Sequence, residues 1–99
     1  MDARFQYVKI DKSEDLEEFS QKKLDKLEDK YDFIISAEVR FKKHEVEDPK
    51  GYICNINISM PGPKIFAESN ETSFEAAVVE SIKDIDRQLQ KRKAKMSTH

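Results

Sequence analysis

The sequence has few of the residues on which small enzymes, metalloproteins and secreted domains depend. Its 99 residues include one cysteine, two histidines, two glycines and no tryptophan. The single cysteine, Cys54, excludes an internal disulfide and fits a reducing compartment, where a small buried thiol is its ordinary role. The histidines, His44 and His99, lie far apart, and neither has a cysteine or a second histidine at zinc-site spacing. We therefore predict no disulfide and no metal site.

Longer motifs are missing as well. There is no glycine-rich phosphate loop, Ser-His-Asp set or nucleophile elbow. The many carboxylates lie among lysines, where solvated pairing explains them better than acid–base chemistry does. No apolar run approaches the ~20 residues of a membrane span, and the polar start Met1–Phe5 does not fit a signal peptide. The sequence indicates a soluble, cytoplasmic protein that is not an enzyme and has no cofactor or small-molecule substrate.

The overall balance of charge is slightly acidic. Charged residues make up 38% of the chain and hydrophobic residues 37%, with a net charge of −2. A chain of this length forms one domain, which buries roughly 60–70% of the surface that its unfolded form exposes. We predict a single domain over residues 1–99, with a frayed basic tail at 91–99. Any anionic partner must meet a local basic patch, because the whole surface does not attract it.

The first half of the chain reads as strand, helix, strand. Arg4–Ile10 alternates loosely, so either Phe5 and Tyr7 or Val8 and Ile10 face the core. Ser13 is the expected N-cap of a helix that runs through Lys30, because an acidic first turn follows it. In the next strand, Ile34–His44, alternation predicts one core face. The apolar positions are Leu16, Phe19, Leu24, Leu27 and Tyr31 in the helix and Ile35, Ala37, Val39 and Phe41 in the strand.

The second half reads as two strands and a helix. Gly51–Met60 alternates again, Pro61-Gly62-Pro63 reverses the chain, and Lys64–Ser69 forms a short strand. Thr72 and Glu75 form the expected capping box of the last helix, which carries an apolar stripe from Phe74 to Leu89. The order β-α-β-β-β-α predicts an α+β fold. Both helices should pack on one face of a four-stranded, mostly antiparallel sheet whose last three strands form a meander.

Both helices become basic toward their C-terminal ends. In the last helix the cations are unaccompanied by acidic residues, and they resemble an electrostatic footprint for phosphates. An alternative is that they only complement the helix dipole and keep the end soluble. In the first helix the lysines share one surface, and the alternative there is a solvated face paired with Asp25, Glu28 and Asp29. The candidate RNA-binding residues are Lys22, Lys23, Lys26, Arg87, Lys91, Arg92, Lys93 and Lys95.

Several segments together resemble the ribosome hibernation promoting factor and ribosome-associated inhibitor family, also called the ribosomal subunit interface protein family. These segments are Gln21–Glu28, Tyr31-Asp32, Ile34–Val39, Pro61-Gly62, Phe66–Glu68, Ser73–Ala76 and Arg87–Lys95. The resemblance implies a short-form member that binds the small ribosomal subunit in the channel of messenger and transfer RNA, inhibiting translation in stress, slow growth or stationary phase. It implies ribosomal RNA contacts through Lys23, Lys26 and the cations of the last helix, with Lys22 and Lys30 as additions. It also implies that ribosome dimerisation requires a separate factor.

A competing hypothesis assigns the chain to another class, a small protein–protein interaction module. Such a module would dock a regulatory protein through the open sheet face around Arg40, Lys42, Asn55 and Asn57, or through the acidic first helix turn. Charge reversal of the last helix separates the two hypotheses. It removes ribosome association under the first and leaves partner binding intact under the second.

Overall fold

The computed structural model describes residues 1–45 and 50–96. Its elements are β1 (Asp2–Val8), α1 (Glu14–Lys30), β2 (Ser36–Lys43), β3 (Tyr52–Ser59), β4 (Ile65–Glu71) and α2 (Phe74–Met96). They form one sheet in the order β1-β2-β3-β4, with β1 parallel to β2 and the other neighbours antiparallel. The predicted α+β fold, its element order and its meander of three strands are confirmed. Residues 91–96 belong to α2, and 97–99 lie outside the described residues, so the fraying of the tail stays a prediction.

Both helices lie on one face of the sheet, as the alternation in the strands requires. Inward positions of β2 and β3 carry the largest buried side chains, among them Phe41 and Ile56, which are at most 1% exposed. From the helices, Leu24 of α1 and Ile85 and Leu89 of α2 close the core over them. The opposite face of the sheet carries polar side chains and is left open. The core therefore lies in one layer between sheet and helices.

The core face of β1, which the sequence left open, is the face that carries Phe5 and Tyr7. Parallel pairing places Tyr7 beside Phe41, and their ring centroids lie 5.5 Å apart. Phe41 in turn makes an edge contact with Phe74 at the start of α2, with centroids 5.6 Å apart. Such aromatic pairs add to the area that they bury. This cluster fixes β1, β2 and α2 to one another at one end of the sheet.

One predicted core position in β2 is wrong. Ile35 is 61% exposed, and the preceding Ile34 is buried instead, at 6%. The ladder of β2 begins at Ser36, so the two-residue alternation does not extend back to Ile35. Ile35 still donates its backbone N–H to the carbonyl of Ser59. The chain arrives from the helix layer, and this direction of approach places Ile34 inside.

The predicted N-cap is correct for α1 and wrong for α2. Ser13 caps α1, because its Oγ accepts the N–H of Leu16 at 3.2 Å, as predicted. The cap expected at Thr72 is wrong by one residue, since Ser73 Oγ accepts the N–H of Ala76 at 3.1 Å. A hydroxyl at the N-cap reaches the N–H two or three residues later, and α2 begins at Phe74. Glu75 is therefore too early in the helix for a capping box and serves only the dipole.

The corrected cap is testable by two alanine substitutions. Ser73→Ala removes the acceptor for the N–H of Ala76 and is expected to lower the free energy of unfolding by about 1 kcal/mol. Thr72→Ala, the matched control, changes an exposed residue outside the helix and should alter it by less than about 0.5 kcal/mol. Urea unfolding followed by circular dichroism measures both. A larger loss for Thr72→Ala would restore the cap that the sequence suggested.

Candidate nucleic-acid interface

The topology brings the C-terminal ends of the two helices to the same end of the molecule. Strands β1, β2 and β4 point one way, because β1 is parallel to β2 and β3 reverses between β2 and β4. Each helix follows one of these strands and returns across the same face, so α1 and α2 run in the same direction. We call the shared end the basic pole. It comprises Lys22, Lys23, Lys26, Lys30, Arg87, Lys91, Arg92, Lys93 and Lys95.

Helix α2 extends past the end of α1. Lys30, the last residue of α1, already lies beside Asp86, and α2 continues to Met96. From Gln90 to Met96 no residue of α2 is buried, whereas Leu89 is fully buried. The last two turns therefore project from the domain with Lys91, Lys93 and Lys95 exposed. A helix that projects in this way offers cations on more than one side.

The predicted site residues of α2 divide between two sides of that helix. Lys93 faces α1, where its Nζ donates to the carbonyl of Lys30 at 3.5 Å and lies 5.7 Å from the ring centroid of Tyr31. Arg92 faces the sheet and donates to the carbonyl of Pro63 at 3.2 Å. With Lys91 and Lys95 it lines a cavity of about 220 Å³ beside β4. The structure thus does not gather the cations of α2 into one cluster.

The lysines of α1 form a third group around an aromatic ring. Lys22, Lys23 and Lys26 line a cavity of about 310 Å³ together with Phe19 and Asp25. The Nζ of Lys23 lies 5.4 Å from the centroid of that ring, at cation–π distance. The sequence placed Phe19 in the helix stripe, but the side chain is only half-buried and borders the lysines. Phe19 therefore belongs to this site as well as to the core.

Several cations of the basic pole are not neutralised by carboxylates of the described residues. Two exposed ion pairs lie on its outer surface, Lys22–Glu18 at 3.6 Å and Arg87–Asp84 at 3.7 Å. Asp25 accepts a hydrogen bond from Gln21, and Glu28 binds the terminal amino group of Met1. Within residues 1–45 and 50–96, the side chains of Lys26, Lys91 and Lys95 have no ion pair or hydrogen bond. Among the described residues, the alternative pairing of the α1 lysines Lys22, Lys23 and Lys26 with Asp25, Glu28 and Asp29 is therefore not formed.

One carboxylate at the basic pole is neutralised within the structure. Asp86 accepts hydrogen bonds from Lys30 Nζ, at 2.9 and 3.0 Å, and from the Tyr31 hydroxyl at 2.5 Å. Burial opposes ionisation of Asp86, but these bonds prevail and lower its pKa. The hydrogen bond to Asp86 likewise raises the pKa of Lys30. Lys30 thus cancels a negative charge and joins the two helices, and it is not a free phosphate contact.

The opposite end of the molecule is acidic. The first turn of α1 carries Glu14, Asp15 and Glu17, and that of α2 carries Glu75. Glu17 accepts a hydrogen bond from the Tyr7 hydroxyl at 2.9 Å, so part of this charge supports the fold. Because the acids gather at the helix starts and the cations at the helix ends, a net charge of −2 coexists with a basic pole. Both groupings suit the helix dipoles.

Comparison with known families identifies the chain. The sequence profile described as sigma 54 modulation protein / S30EA ribosomal protein matches residues 3–97. The chain belongs to this family. The S30EA family match covers both helices and the whole basic pole, so the resemblance inferred from the sequence segments is confirmed.

Solved structures agree with the S30EA assignment. A ribosomal subunit interface protein from Coxiella burnetii has 26% identity and a TM-score of 0.82, covering 95% of this chain and 99% of that one. The N-terminal domain of Thermus thermophilus Protein Y has 17% identity and a TM-score of 0.77, covering 92% and 98%. The second likeness shows the fold alone. A comparison with curated protein sequences gives no significant match.

The S30EA chain has little other chemistry in its described residues. Within 1–45 and 50–96, no three His, Cys, Asp or Glu side chains are placed to hold a metal ion. Burial raises the pKa of the Cys54 thiol to about 12, which keeps it protonated and unreactive at neutral pH. His44 is exposed, and His99 lies outside the described residues. None of the described helices has the length and apolarity needed to cross a membrane.

The Asp86 network in this S30EA chain should make the pairing of its helices sensitive to acid. The pKa of Asp86 in the folded chain lies below the ordinary value of 3.8, so its contribution to stability is present above that pH and is lost as pH falls through the folded pKa. Asp86→Asn is expected to lower the urea midpoint at pH 7. At pH 2.5 the difference from the unmodified chain should shrink. An equal difference at both pH values would mean that the ionised carboxylate does not stabilise the fold.

Proposed function

We propose that this chain binds the small ribosomal subunit through its basic pole and occludes the channel used by messenger and transfer RNA. The observation that carries the proposal is the shared direction of α1 and α2, which brings their unneutralised lysines to one end. Family membership supports it, as does the likeness to a protein described as a ribosomal subunit interface protein. The cations proposed to contact ribosomal RNA are Lys22, Lys23, Lys26, Arg87, Lys91, Arg92, Lys93 and Lys95.

The chemistry of the basic pole suits a folded RNA. Phosphate contacts supply affinity without reading sequence, and A-form RNA is recognised mostly by its shape and backbone. Because the cations divide into separate groups around two helices, the basic pole matches phosphates on more than one RNA segment. The domain measures 50 × 24 × 19 Å, a bulk that excludes other ligands from a channel. Inhibition is therefore occlusion and needs no catalysis.

The acidic end does not prevent this binding. Helix α2 has 23 residues and a length of about 35 Å, at ~1.5 Å per residue. At physiological ionic strength the Debye length is ~8 Å, so charges at the acidic end are screened from phosphates at the basic pole. The local charge of the basic pole, and not the net charge, governs the encounter. The acidic end would face away from the RNA.

The biological setting follows from the family resemblance. We assign the chain to the cytoplasm, as a non-enzymatic factor that holds ribosomes inactive in stress, slow growth or stationary phase. We also assign ribosome dimerisation to a separate factor. For the alternative, docking of a regulatory protein on the open sheet face, Arg40 and Asn55 are engaged within the sheet, whereas the side chain of Asn57 has no partner among the described residues.

The experiment that tests the proposed function is co-sedimentation with purified ribosomal subunits. The chain is expected to pellet with small subunits and to remain in the supernatant with large subunits. Deacylated transfer RNA added in excess should displace it, because the two ligands would occupy one channel. Equal pelleting with both subunits would remove the small-subunit assignment, and binding unaffected by transfer RNA would remove occlusion.

A further inference from the structure

The open face of the sheet has two rows of polar residues that differ in their bonding. In the first, Arg40 donates from Nε and Nη2 to Gln6 Oε1, at 3.2 and 3.1 Å, and Asn55 donates to Glu68 Oε1 at 3.0 Å. The polar side chains of this row are thus satisfied by each other. The neighbouring row, nearer the basic pole, is different, and we call it the Arg4 row. Strand register places its members side by side across the sheet: Arg4, Glu38, Asn57 and Phe66.

The polar side chains of the Arg4 row have no partner. Within residues 1–45 and 50–96, the side chains of Arg4, Glu38 and Asn57 make no hydrogen bond or ion pair, although neighbours in a row lie close enough to interact. Phe66 completes the row with a side chain that is 50% exposed on the polar face. A guanidinium, a carboxylate, an amide and an aromatic ring thus stand in line with their interactions available to a ligand.

The row borders two adjoining cavities. One, of about 280 Å³, is lined by the polar residues Asp2, Arg4, Ser36, Glu38, Asn57, Ser59 and Lys64. The other, of about 250 Å³, lies between the two rows and is lined by Glu38, Asn57 and Phe66 together with Gln6, Arg40 and Asn55. Glu38 and Asn57 line both cavities and therefore lie at the centre of a continuous depression. A planar ligand resting against Phe66 would present one edge to these two side chains.

The chemistry of the row fits one kind of base. An ionised carboxylate only accepts hydrogen bonds and holds two donors side by side, whereas an amide NH₂ donates. Guanine presents two adjacent N–H donors and a carbonyl oxygen on its Watson–Crick edge, which matches Glu38 followed by Asn57. Unpaired bases in RNA are recognised on this edge and by stacking on aromatic rings. We propose that the Arg4 row binds an unpaired guanine, with Phe66 stacking on the base and with Glu38 and Asn57 contacting its Watson–Crick edge.

The position of the row connects it with the basic pole. Lys64 lines the larger cavity and directly follows Pro63, whose carbonyl accepts the Arg92 hydrogen bond. A strand of RNA held by Arg92 on one side of this turn therefore reaches the Arg4 row on the other. Arg4 and Lys64 supply positive charge along this route and offset the carboxylates of Asp2 and Glu38, which line the same cavity. The inference rests on the proposed function for the source of the guanine, and it adds sequence preference to a site that otherwise reads only phosphates.

The test is a titration of the ¹⁵N-labelled chain with mononucleotides, followed by NMR chemical shifts. With 5′-GMP, the side-chain amide of Asn57 and the backbone amides of Glu38 and Phe66 are expected to shift together. The dissociation constant for GMP should be roughly five- to a hundredfold lower than those for AMP, CMP and UMP, the range expected for one bidentate contact. Equal shifts of the α2 lysine backbone amides with all four nucleotides would indicate that the basic pole binds the phosphate without recognising the base.

Two matched substitutions on the same face sharpen the test. Glu38→Gln keeps the shape but replaces an acceptor by a donor, so the preference for GMP over AMP should disappear. Glu68→Gln makes the same change in the row whose side chains are already paired, and the preference should remain. Both residues are exposed, so folding is unaffected. An equal loss of preference in both variants would place the guanine elsewhere.

The outcome is separable from that of the proposed function. Shifts in the Arg4 row with GMP support the guanine site whether or not the chain pellets with small subunits. No shift in the row with any nucleotide, or equal shifts with all four, overturns it even if the chain pellets as expected. In the second case the depression would bind phosphate without reading the base.

Discussion

A quadruple charge reversal in α2 is expected to abolish pelleting of the chain with small ribosomal subunits. The four residues changed to glutamate are Lys91, Arg92, Lys93 and Lys95. The change converts four cations of the projecting turns of α2 into four anions. At about 1.5 kcal/mol for each charged hydrogen bond to phosphate, four lost contacts total about 6 kcal/mol and alone reduce affinity roughly ten-thousandfold. Repulsion between glutamates and phosphates reduces it further. Co-sedimentation at fixed, low salt measures the loss.

A matched control separates position from net charge. Lys9, Lys12, Lys42 and Lys83 are exposed and lie outside the basic pole, and their change to glutamate alters the net charge equally. That variant is expected to pellet nearly as well as the unmodified chain. A second control, glutamine at the four positions of α2, avoids anions at a helix C-terminus and should still weaken binding. If the two glutamate variants bound equally well, the basic pole would not be the RNA site.

Truncation of Phe41 is expected to have the largest effect on stability. Its side chain is fully buried and contacts the rings of Tyr7 and Phe74, so it joins two strands to α2. Phe41→Ala removes these contacts and leaves a cavity, which should lower the free energy of unfolding by about 3–5 kcal/mol. The total free energy of unfolding of a small domain is about 5–15 kcal/mol. Urea or thermal unfolding should therefore show a protein close to the limit of folding.

The control for Phe41 is the same substitution on the open face. Phe66 is 50% exposed, and Phe66→Ala should lower the free energy of unfolding by less than about 1 kcal/mol. The pair of variants thus compares one chemical change on the two faces of a single sheet. A comparable loss at both positions would mean that the open face is covered in solution, for example by a second copy of the chain.

The fold was predictable because alternation and helical periodicity act over many residues. Three alternate positions of β2, Ala37, Val39 and Phe41, all face the core, so a wrong assignment at one of them does not change the prediction of the strand. Prediction was weakest where a single residue decides. Ile35 continues the alternation in sequence but precedes the ladder, and Thr72 and Ser73 are both good caps. Only the backbone geometry chooses between them.

The candidate site was predictable in composition but not in arrangement. Clustered lysines and arginines are visible in the sequence, and the order of the strands implies that both helices end together. The bond between Lys30 and Asp86 joins residues 56 positions apart, and no local pattern reveals it. The division of Lys93 and Arg92 between two sides of α2 depends on the rotation of that helix in the core. These facts need the packed structure.

The central claim is that the basic pole binds phosphates of small-subunit RNA, and the salt dependence of binding tests it most directly. We predict that the logarithm of the association constant falls linearly with the logarithm of salt concentration, with a slope of several units. Each cation of α2 changed to glutamine should reduce that slope by roughly one. Binding that is tight but indifferent to salt, with a slope unchanged by these substitutions, would contradict the claim.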